Sequence, residues 1–346
     1  MTTLPDVEIS LTNEESQQLR LAFAPVQYDP AGGIDYLRHL RRIALNTIPE
    51  RLLSALEKTK LLNEQALSCV LINNLPIDQH VTGSPKFSET GASHKEGCLS
   101  ENILTALGTL LGEPYSIAHE GRELVNNLTP HQEHAHEFTG LGSEVELDLH
   151  IENAAQAWMP EGDTSPFALI LLGIRGEPDG GPLTHVTDTR RALSLLSAED
   201  IKTLYEPHFI IRVPYRWRSA TPKPRDNTHL VPVLSGPINS PRVTVAFYPD
   251  MVLASNQLAQ QALDNLYRAL NQVAFGVQIT PGRLVLINNY FALHSRERFT
   301  PGFDENGCAY RWIQRLFVAP DLWNFRSFTR LHERVFDPRC ETATEV

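Results

Sequence analysis

Short apolar segments separated by long polar stretches are the feature that most constrains the fold of this chain. Their lengths, and their alternating or wholly apolar patterns, are typical of half-buried and buried strands. Seven such segments occur, at Cys69–Ile72, Glu144–His150, Phe167–Ile174, Phe209–Pro214, Val243–Tyr248, Arg283–Asn288 and Arg311–Val318. Between the later segments, helical patterns occur only near residues 189–206 and 256–273, which argues against a regular βαβ alternation. We therefore predict a mainly β fold with flanking helices, whose core is a double-stranded β-helix, or jelly roll.

The N-terminal part of the chain has helical patterns. Thr12 and Glu15 form the two ends of a capping box, and a second helical region, Ile34–Leu62, is interrupted near Pro49. No linker, repeat or low-complexity stretch divides the sequence. We predict a single domain over residues 1–346. Its predicted parts are a helical region (1–67), a jelly-roll core (68–320) with an inserted lid (216–242), and a C-terminal extension (321–346).

Composition excludes several classes of protein. The formal net charge is −11 with the acidic residues scattered, so no basic surface for nucleic acid is expected. The N-terminus does not resemble a signal peptide, and no apolar run reaches the roughly 18 residues that a membrane span needs. The four cysteines are far apart in sequence and form no CxxC pair, which is typical of reduced thiols. We expect a cytoplasmic protein without a membrane partner, and its oligomeric state is not predicted.

The strongest local motif is His150-Ile151-Glu152. Because apolar residues alternate through Val145, Leu147 and Leu149, the His150 and Glu152 side chains share the opposite face of a strand. A histidine and a carboxylate in this arrangement can bind one metal ion, and a second histidine would complete the facial triad of non-haem iron(II) oxygenases. The HxE pattern is common, however, and by itself it is more typical of a polar strand face beside Glu146 and Asp148 than of a metal site.

A downstream segment supplies the missing groups. His294 follows the strand Arg283–Asn288 and can be the third metal ligand. Arg311 and Arg315 follow, four residues apart, and an arginine can bind both oxygens of a carboxylate at once. Two arginines beside an iron site suggest two carboxylates to be bound.

Six segments together resemble the clavaminate synthase-like group of 2-oxoglutarate oxygenases, and most closely its hydroxylases of free arginine, lysine or asparagine. They are HIEN (150–153), LILLGIR (169–175), PLTHVTDTRRAL (182–193), PGRLVLINN (281–289), HSRERF (294–299) and YRWIQRLFV (310–318). The resemblance implies a jelly roll that uses Fe(II), 2-oxoglutarate and O2. It also implies that 2-oxoglutarate is converted to succinate and CO2 while an amino acid is hydroxylated.

The resemblance also assigns binding roles. His150, Glu152 and His294 match the iron ligands, and no residue outside the metal site is expected to be catalytic. Those expected to bind the cosubstrate are Arg311, which matches the arginine for the distal carboxylate of 2-oxoglutarate, and Thr184, which matches the hydroxyl that assists it. Those expected to bind the substrate are Arg315, for its carboxylate, and Glu120, for its ammonium group.

The far end of the substrate is where this sequence departs from the group. The group has two acids in the strand that corresponds to Val243–Met251, whereas here the two positions are Tyr248 and Asp250. We predict a free L-amino acid as the small-molecule substrate, with a basic side chain (lysine or arginine) bound by Asp250 and Tyr248 and hydroxylated at C3 or C4. The alternative is that Asp250 only begins a turn, and that the substrate is another polar amino acid such as asparagine.

Two other classes of function remain open. A metal-dependent hydrolase could use the same three ligands, and a non-enzymatic jelly roll could bind a small effector. Neither gives the paired arginines a purpose. A further histidine-rich segment, residues 131–136, lacks the spacing of a helical zinc motif and is predicted to be a surface loop.

Overall fold

The computed structural model describes residues 5–86, 91–138, 142–160, 162–218 and 226–338, without the side chains of Ala92, Tyr215 and Arg216. Its strands are β1 (Val7–Ser10), β2 (Cys69–Asn73), β3 (Glu113–Ile117), β4 (Asn126–Leu128), β5 (Leu147–His150), β6 (Ala168–Arg175), β7 (Thr184–Asp188), β8 (Phe209–Ile211), β9 (Leu234–Ser235), β10 (Arg242–Val243), β11 (Val252–Ala254), β12 (Phe275–Val277), β13 (Leu284–Asn288), β14 (Ala292–Arg296), β15 (Trp312–Ala319), β16 (Thr329–Arg330) and β17 (Val335–Asp337).

The helices lie outside the sheets. They are α1 (Asn13–Phe23), α2 (Ile34–Thr47), α3 (Glu50–Thr59), α4 (Leu99–Leu111), α5 (Thr189–Leu193), α6 (Ala198–Leu204), α7 (Tyr215–Arg218) and α8 (Gln257–Val273). The predicted capping box is present at the start of α1, where Thr12 and Glu15 bond each other's backbone N–H groups. No helix among the described residues is long and apolar enough to cross a membrane.

A large sheet has the strand order β1-β2-β13-β6-β15-β3-β17-β16, with β4 also paired to β15. Its central strands are buried on both faces, which is why their sequences are continuous apolar runs rather than alternating ones. In β6, Leu169 and Leu171 point into one core cluster, whereas Ile170 and Leu172 point into the other. The second cluster is covered by helices α1 to α4.

A smaller sheet has the order β12-β7-β14-β5 and packs on the first core cluster. Val186 of β7 and Leu293 of β14 meet Leu171 and Val285 of the large sheet in that cluster. On the same cluster pack the apolar faces of α6 and α8, for example through Leu204 and Leu266. The result is a core of two β-sheets flanked by helices, as the sequence predicts.

Several boundaries differ from the sequence prediction. The predicted strand Val243–Tyr248 is reduced to the two residues of β10 and one isolated bridge, between Ala246 and His150. Its backbone N–H groups have partners in three different segments, because Val243 donates to Tyr290, Thr244 to Val233, and Phe247 to Leu149. Such scattered pairing satisfies the backbone without forming a ladder. The elements that were not predicted include helices α4 and α7 and strands β3, β4, β7, β9, β11, β12, β14 and β16.

The chain ends and the predicted lid also need revision. Strand β1, in the predicted helical region, pairs in parallel with β2, and β17, in the predicted C-terminal extension, pairs in parallel with β3. Both ends therefore extend the main sheet. In the predicted lid (216–242), Val231, Val233 and Leu234 are buried in the first core cluster, so that part is not a lid. Residues 219–225 lie outside the described residues.

Candidate active site

Strand pairing brings the two predicted histidine ligands together. Strands β5 and β14 are antiparallel, and His294 lies directly opposite His150, with ring centroids 4.2 Å apart. Glu152 follows the end of β5, and one of its carboxylate oxygens (Oε1) lies 3.6 Å from Nε2 of His294. One ligand atom from each of the three residues lies within 4.8 Å of the others.

Neighbouring groups fix the orientation of two of these residues. Nδ1 of His150 donates to the carbonyl oxygen of Asp148 at 2.7 Å, which leaves Nε2 with its lone pair directed at the site. The backbone N–H of Glu152 donates to Oδ1 of Asn289 at 2.8 Å, and the Asn289 amide donates to the carbonyl oxygens of Glu152 and Pro166. Asn289 is fully buried, and sequence reasoning had given it no role.

The electrostatics hold these groups in their metal-binding forms. Burial, and then the nearby His294, lower the pKa of His150 to about 3, so its imidazole is neutral at physiological pH. Burial opposes ionisation of Glu152, but Arg315 and the histidines outweigh it and lower its pKa to about 2. Two imidazoles and one carboxylate fit a divalent first-row metal ion such as Fe(II), and the donor set leaves coordination positions open for ligands.

Two arginines lie at one end of the cavity that contains this triad. Arg311 and Thr184, predicted to bind the cosubstrate, both line the cavity. Arg296 lines it too, and was not predicted; its guanidinium donates to the carbonyl oxygens of Gly142 and Val145 at 2.6 and 3.0 Å. Burial, and then Arg296, lower the pKa of Arg311 to about 9. This end of the cavity is therefore strongly positive and suited to a dicarboxylate.

The opposite end contains the residues predicted to bind the substrate's α-groups. Nη2 of Arg315 lies 2.8 Å from Oε2 of Glu120, and both side chains are almost fully buried. Trp217 donates its indole N–H to the other Glu120 oxygen at 3.1 Å. Burial disfavours the charge on Arg315, but Glu120 and Glu152 outweigh it and raise the pKa of Arg315.

Tyr248 and Asp250 are placed differently from each other. Tyr248 lines the cavity, with its ring edge-on to His150 at 5.1 Å between centroids. Asp250 does not line the cavity, and its carboxylate is paired with Arg212 and Arg218. The structure therefore brings every predicted site residue except Asp250 to one cavity, and sequence reasoning had not identified Arg296 or Asn289. The signal for Arg296 was its position two residues after His294, on the same strand face.

The histidine-rich segment lies away from this cavity. Residues Gln132–His134 form a 3-10 helix without a buried residue, and His134 bonds Glu137 at 2.8 Å. Among residues 131–138, only Phe138 reaches the cavity wall. The placement agrees with the predicted surface loop as far as the described residues extend.

Two histidines and one carboxylate on adjoining strands, beside a cationic pocket, define a non-haem iron oxygenase site. Comparison with known proteins gives the family. Residues 100–317 match the family described as "Taurine catabolism dioxygenase TauD, TfdA family", and the chain belongs to it. It is a 2-oxoglutarate-dependent dioxygenase that uses Fe(II) and O2, as predicted.

Several relatives support the resemblance stated from the motifs. L-asparagine oxygenase of Streptomyces coelicolor is 27% identical over 262 residues, which are 75% of this chain and 73% of that protein. L-lysine 3-hydroxylase of Catenulispora acidiphila is 30% identical over 202 residues, 56% of this chain and 51% of that one. The non-heme iron oxygenase OrfP, solved with Fe, succinate and (3S)-hydroxy-L-Arg, is 26% identical, with a TM-score of 0.79 and coverage of 95% and 99%.

Proposed function

We propose that this protein hydroxylates a free L-amino acid in a jelly-roll domain that spans the chain. The observation that carries the proposal is the Arg315–Glu120 pair beside the metal triad. A cation and an anion, buried side by side, complement the carboxylate and ammonium of a free amino acid, whereas a peptide bond would remove one of these charges. The amino-acid hydroxylases among the relatives support the same reading.

The protein's residues bind, orient and exclude water. His150, Glu152 and His294 would hold the iron. When bound, iron supplies the oxidation chemistry, in which 2-oxoglutarate is decarboxylated to succinate and the substrate carbon gains a hydroxyl group. Arg311, with Thr184, would bind the distal carboxylate of 2-oxoglutarate. The apolar side chains in the lining, among them Phe138, Leu147 and Leu171, would limit the access of water to the reacting carbon.

The class of substrate side chain has two candidates. The sequence favours a basic side chain, hydroxylated at C3 or C4 with Asp250 and Tyr248 at its far end, and the lysine hydroxylases and OrfP support that choice. A neutral polar side chain is favoured by a specific observation, which is that Asp250 is already paired with two arginines. The similarity to L-asparagine oxygenase supports this second candidate.

The test is a screen of the common L-amino acids for succinate formation above the uncoupled background, with mass detection of a product one oxygen heavier. At least one free amino acid should be hydroxylated, and its N-acetyl and amide derivatives should not. Alanine at His150, Glu152 or His294 should abolish turnover while circular dichroism stays unchanged. Hydrolysis without oxygen consumption would favour the metal-dependent hydrolase, and ligand binding without any turnover would favour a binding protein.

We also propose a cytoplasmic location. Cys69, Cys98 and Cys308 are free thiols, which supports a reducing compartment, and Cys340 lies outside the described residues.

A further inference from the structure

Asp250 lies at a corner whose geometry is set by strand pairing. Its φ of 67° is in the left-handed region, which aspartate adopts more readily than most residues. Strands β8 and β11 are antiparallel, with Val252 opposite Ile211, and the N–H of Arg212 donates to the carbonyl of Met251 at 2.9 Å. This register brings the Arg212 guanidinium onto the Asp250 carboxylate.

A second arginine meets the same carboxylate oxygen. Nη1 of Arg218 lies 3.3 Å from Oδ2 of Asp250, the atom that Arg212 also contacts. Arg218 is held in place, because its Nε donates to the carbonyl of Val213 at 3.1 Å and its Nη2 lies 3.2 Å from Sδ of Met251. One carboxylate thus faces two guanidiniums, so these three groups together carry a net positive charge.

Within the described residues, the cavity lining contains no other acidic side chain that could pair with a cationic substrate side chain. Its two carboxylates are Glu152, a metal ligand, and Glu120, which the proposed function assigns to the substrate's α-ammonium group. Among the lining residues, Tyr248 is two positions from Asp250 and Pro214 is two positions from Arg212, and Tyr248 packs with the apolar side chains of Phe138 and Leu147. In the sequence, residues 219–225, directly after Arg218, include a lysine and an arginine but no acid.

We infer that Arg212 and Arg218 determine the specificity of this enzyme by occupying Asp250, so that its substrate is a free amino acid with an uncharged side chain. The inference rests on the proposed function. A cationic side chain would have to displace a guanidinium that is fixed by other bonds, and would approach a net positive charge. An anionic side chain would face an apolar wall, because neither arginine lines the cavity.

The experiment compares kcat/KM for uncharged, cationic and anionic amino acids in the parent enzyme and in the double variant R212Q/R218Q. We expect the parent to prefer an uncharged side chain. In the double variant, the ratio of lysine or arginine use to use of the best uncharged substrate should rise about tenfold, because Asp250 is released. Adding D250N to the double variant should reverse that rise.

R268Q is the matched control, because Arg268 borders the same surface depression as Asp250 but bonds Asn265 instead. It removes one positive charge nearby and should leave the ratio unchanged. If R212Q/R218Q does not fold, as judged by circular dichroism, R218Q alone carries the test with a smaller rise.

Two results would overturn the inference, namely a parent enzyme that prefers lysine, arginine or an acidic amino acid, or a ratio that stays the same in the folded variants. The proposed function would fail differently, since then no free amino acid of any charge would be hydroxylated.

Discussion

Replacing Arg311 by glutamine should stabilise the ligand-free protein while abolishing its response to 2-oxoglutarate. Among the residues that the structure describes, no carboxylate lies within 4.0 Å of the Arg311 guanidinium. Burial and the positive Arg296 lower the pKa of Arg311 to about 9, so the folded protein carries a charge that it disfavours. Glu177 offsets only part of this effect, and a dicarboxylate in the cavity would supply a further counter-charge.

The magnitude follows from the shift in pKa. Because the folded pKa of Arg311 is depressed, the destabilisation is fully present well below pH 9 and is relieved only as the pH rises above that value. For a group without solvent contact, a shift of this size would destabilise the folded protein by about 5 kcal/mol at neutral pH. Arg311 lines a cavity rather than the packed core, so we expect a smaller gain for Arg311→Gln, about 1–3 kcal/mol in free energy of unfolding. That corresponds to a rise in Tm of about 2–6 °C.

The assay is thermal unfolding without oxygen, with Zn(II) in place of iron, over a titration of 2-oxoglutarate. The parent protein should gain Tm with ligand concentration, as expected for binding to the folded state alone. Arg311→Gln should begin higher and gain nothing. Arg311→Lys is the control, because it keeps the buried charge and should not begin higher. A glutamine variant that is less stable than the parent, and still responds to 2-oxoglutarate, would refute the reasoning.

Two other predictions concern polar side chains that do not line the cavity. Asn289→Ala leaves the N–H and carbonyl of Glu152 and the carbonyl of Pro166 without their partner. The free energy of unfolding measured in urea should therefore fall by about 3–4 kcal/mol, and titration should show weaker metal binding. Unchanged values of both would contradict this role. Burial, and then Glu101, raise the pKa of Glu123 to about 7, so folding takes up a proton between pH 4.5 and 7 and stability falls as the pH rises. Glu123→Gln should remove this pH dependence, and its free energy of unfolding at pH 8 should exceed the parent's by about 1–3 kcal/mol. The same difference between variant and parent at pH 5 and at pH 8 would contradict the prediction.

The metal triad was predictable because its signal is local. The apolar alternation through Val145, Leu147 and Leu149 predicts that His150 and Glu152 share a face, and in the structure β5 ends at His150 with Glu152 two residues later. His294 was assigned from the motif that surrounds it, because strand β14, which places it opposite His150, was not predicted. The pair Arg311 and Arg315 was also predicted from a local pattern, since the two are four residues apart, and in the structure Arg311 directly precedes β15 whereas Arg315 lies within it.

The surroundings of the triad were less predictable because they depend on distant segments. The run Val243–Tyr248 has the composition of a strand, yet its backbone N–H groups donate to Tyr290, Val233 and Leu149, which lie in three separate segments of the chain. Composition predicts that a segment is buried and extended, but does not specify whether one neighbour or several will pair with it. Asn289 was overlooked for the same reason, since its partners lie more than 120 residues earlier.

Substrate charge is the property for which this dependence matters most. An acid at position 250 predicts a cationic ligand only if the acid is free, and its partners Arg212 and Arg218 lie 38 and 32 residues earlier in the chain. An arginine of the same chain competes with a cationic substrate for the Asp250 carboxylate more strongly than water does. Its side chain loses conformational entropy once, on folding, rather than at each binding event. A family acid can therefore persist in sequence while losing its role in recognition. The charge of the substrate is then set by the net charge of the whole cluster, which only the fold reveals.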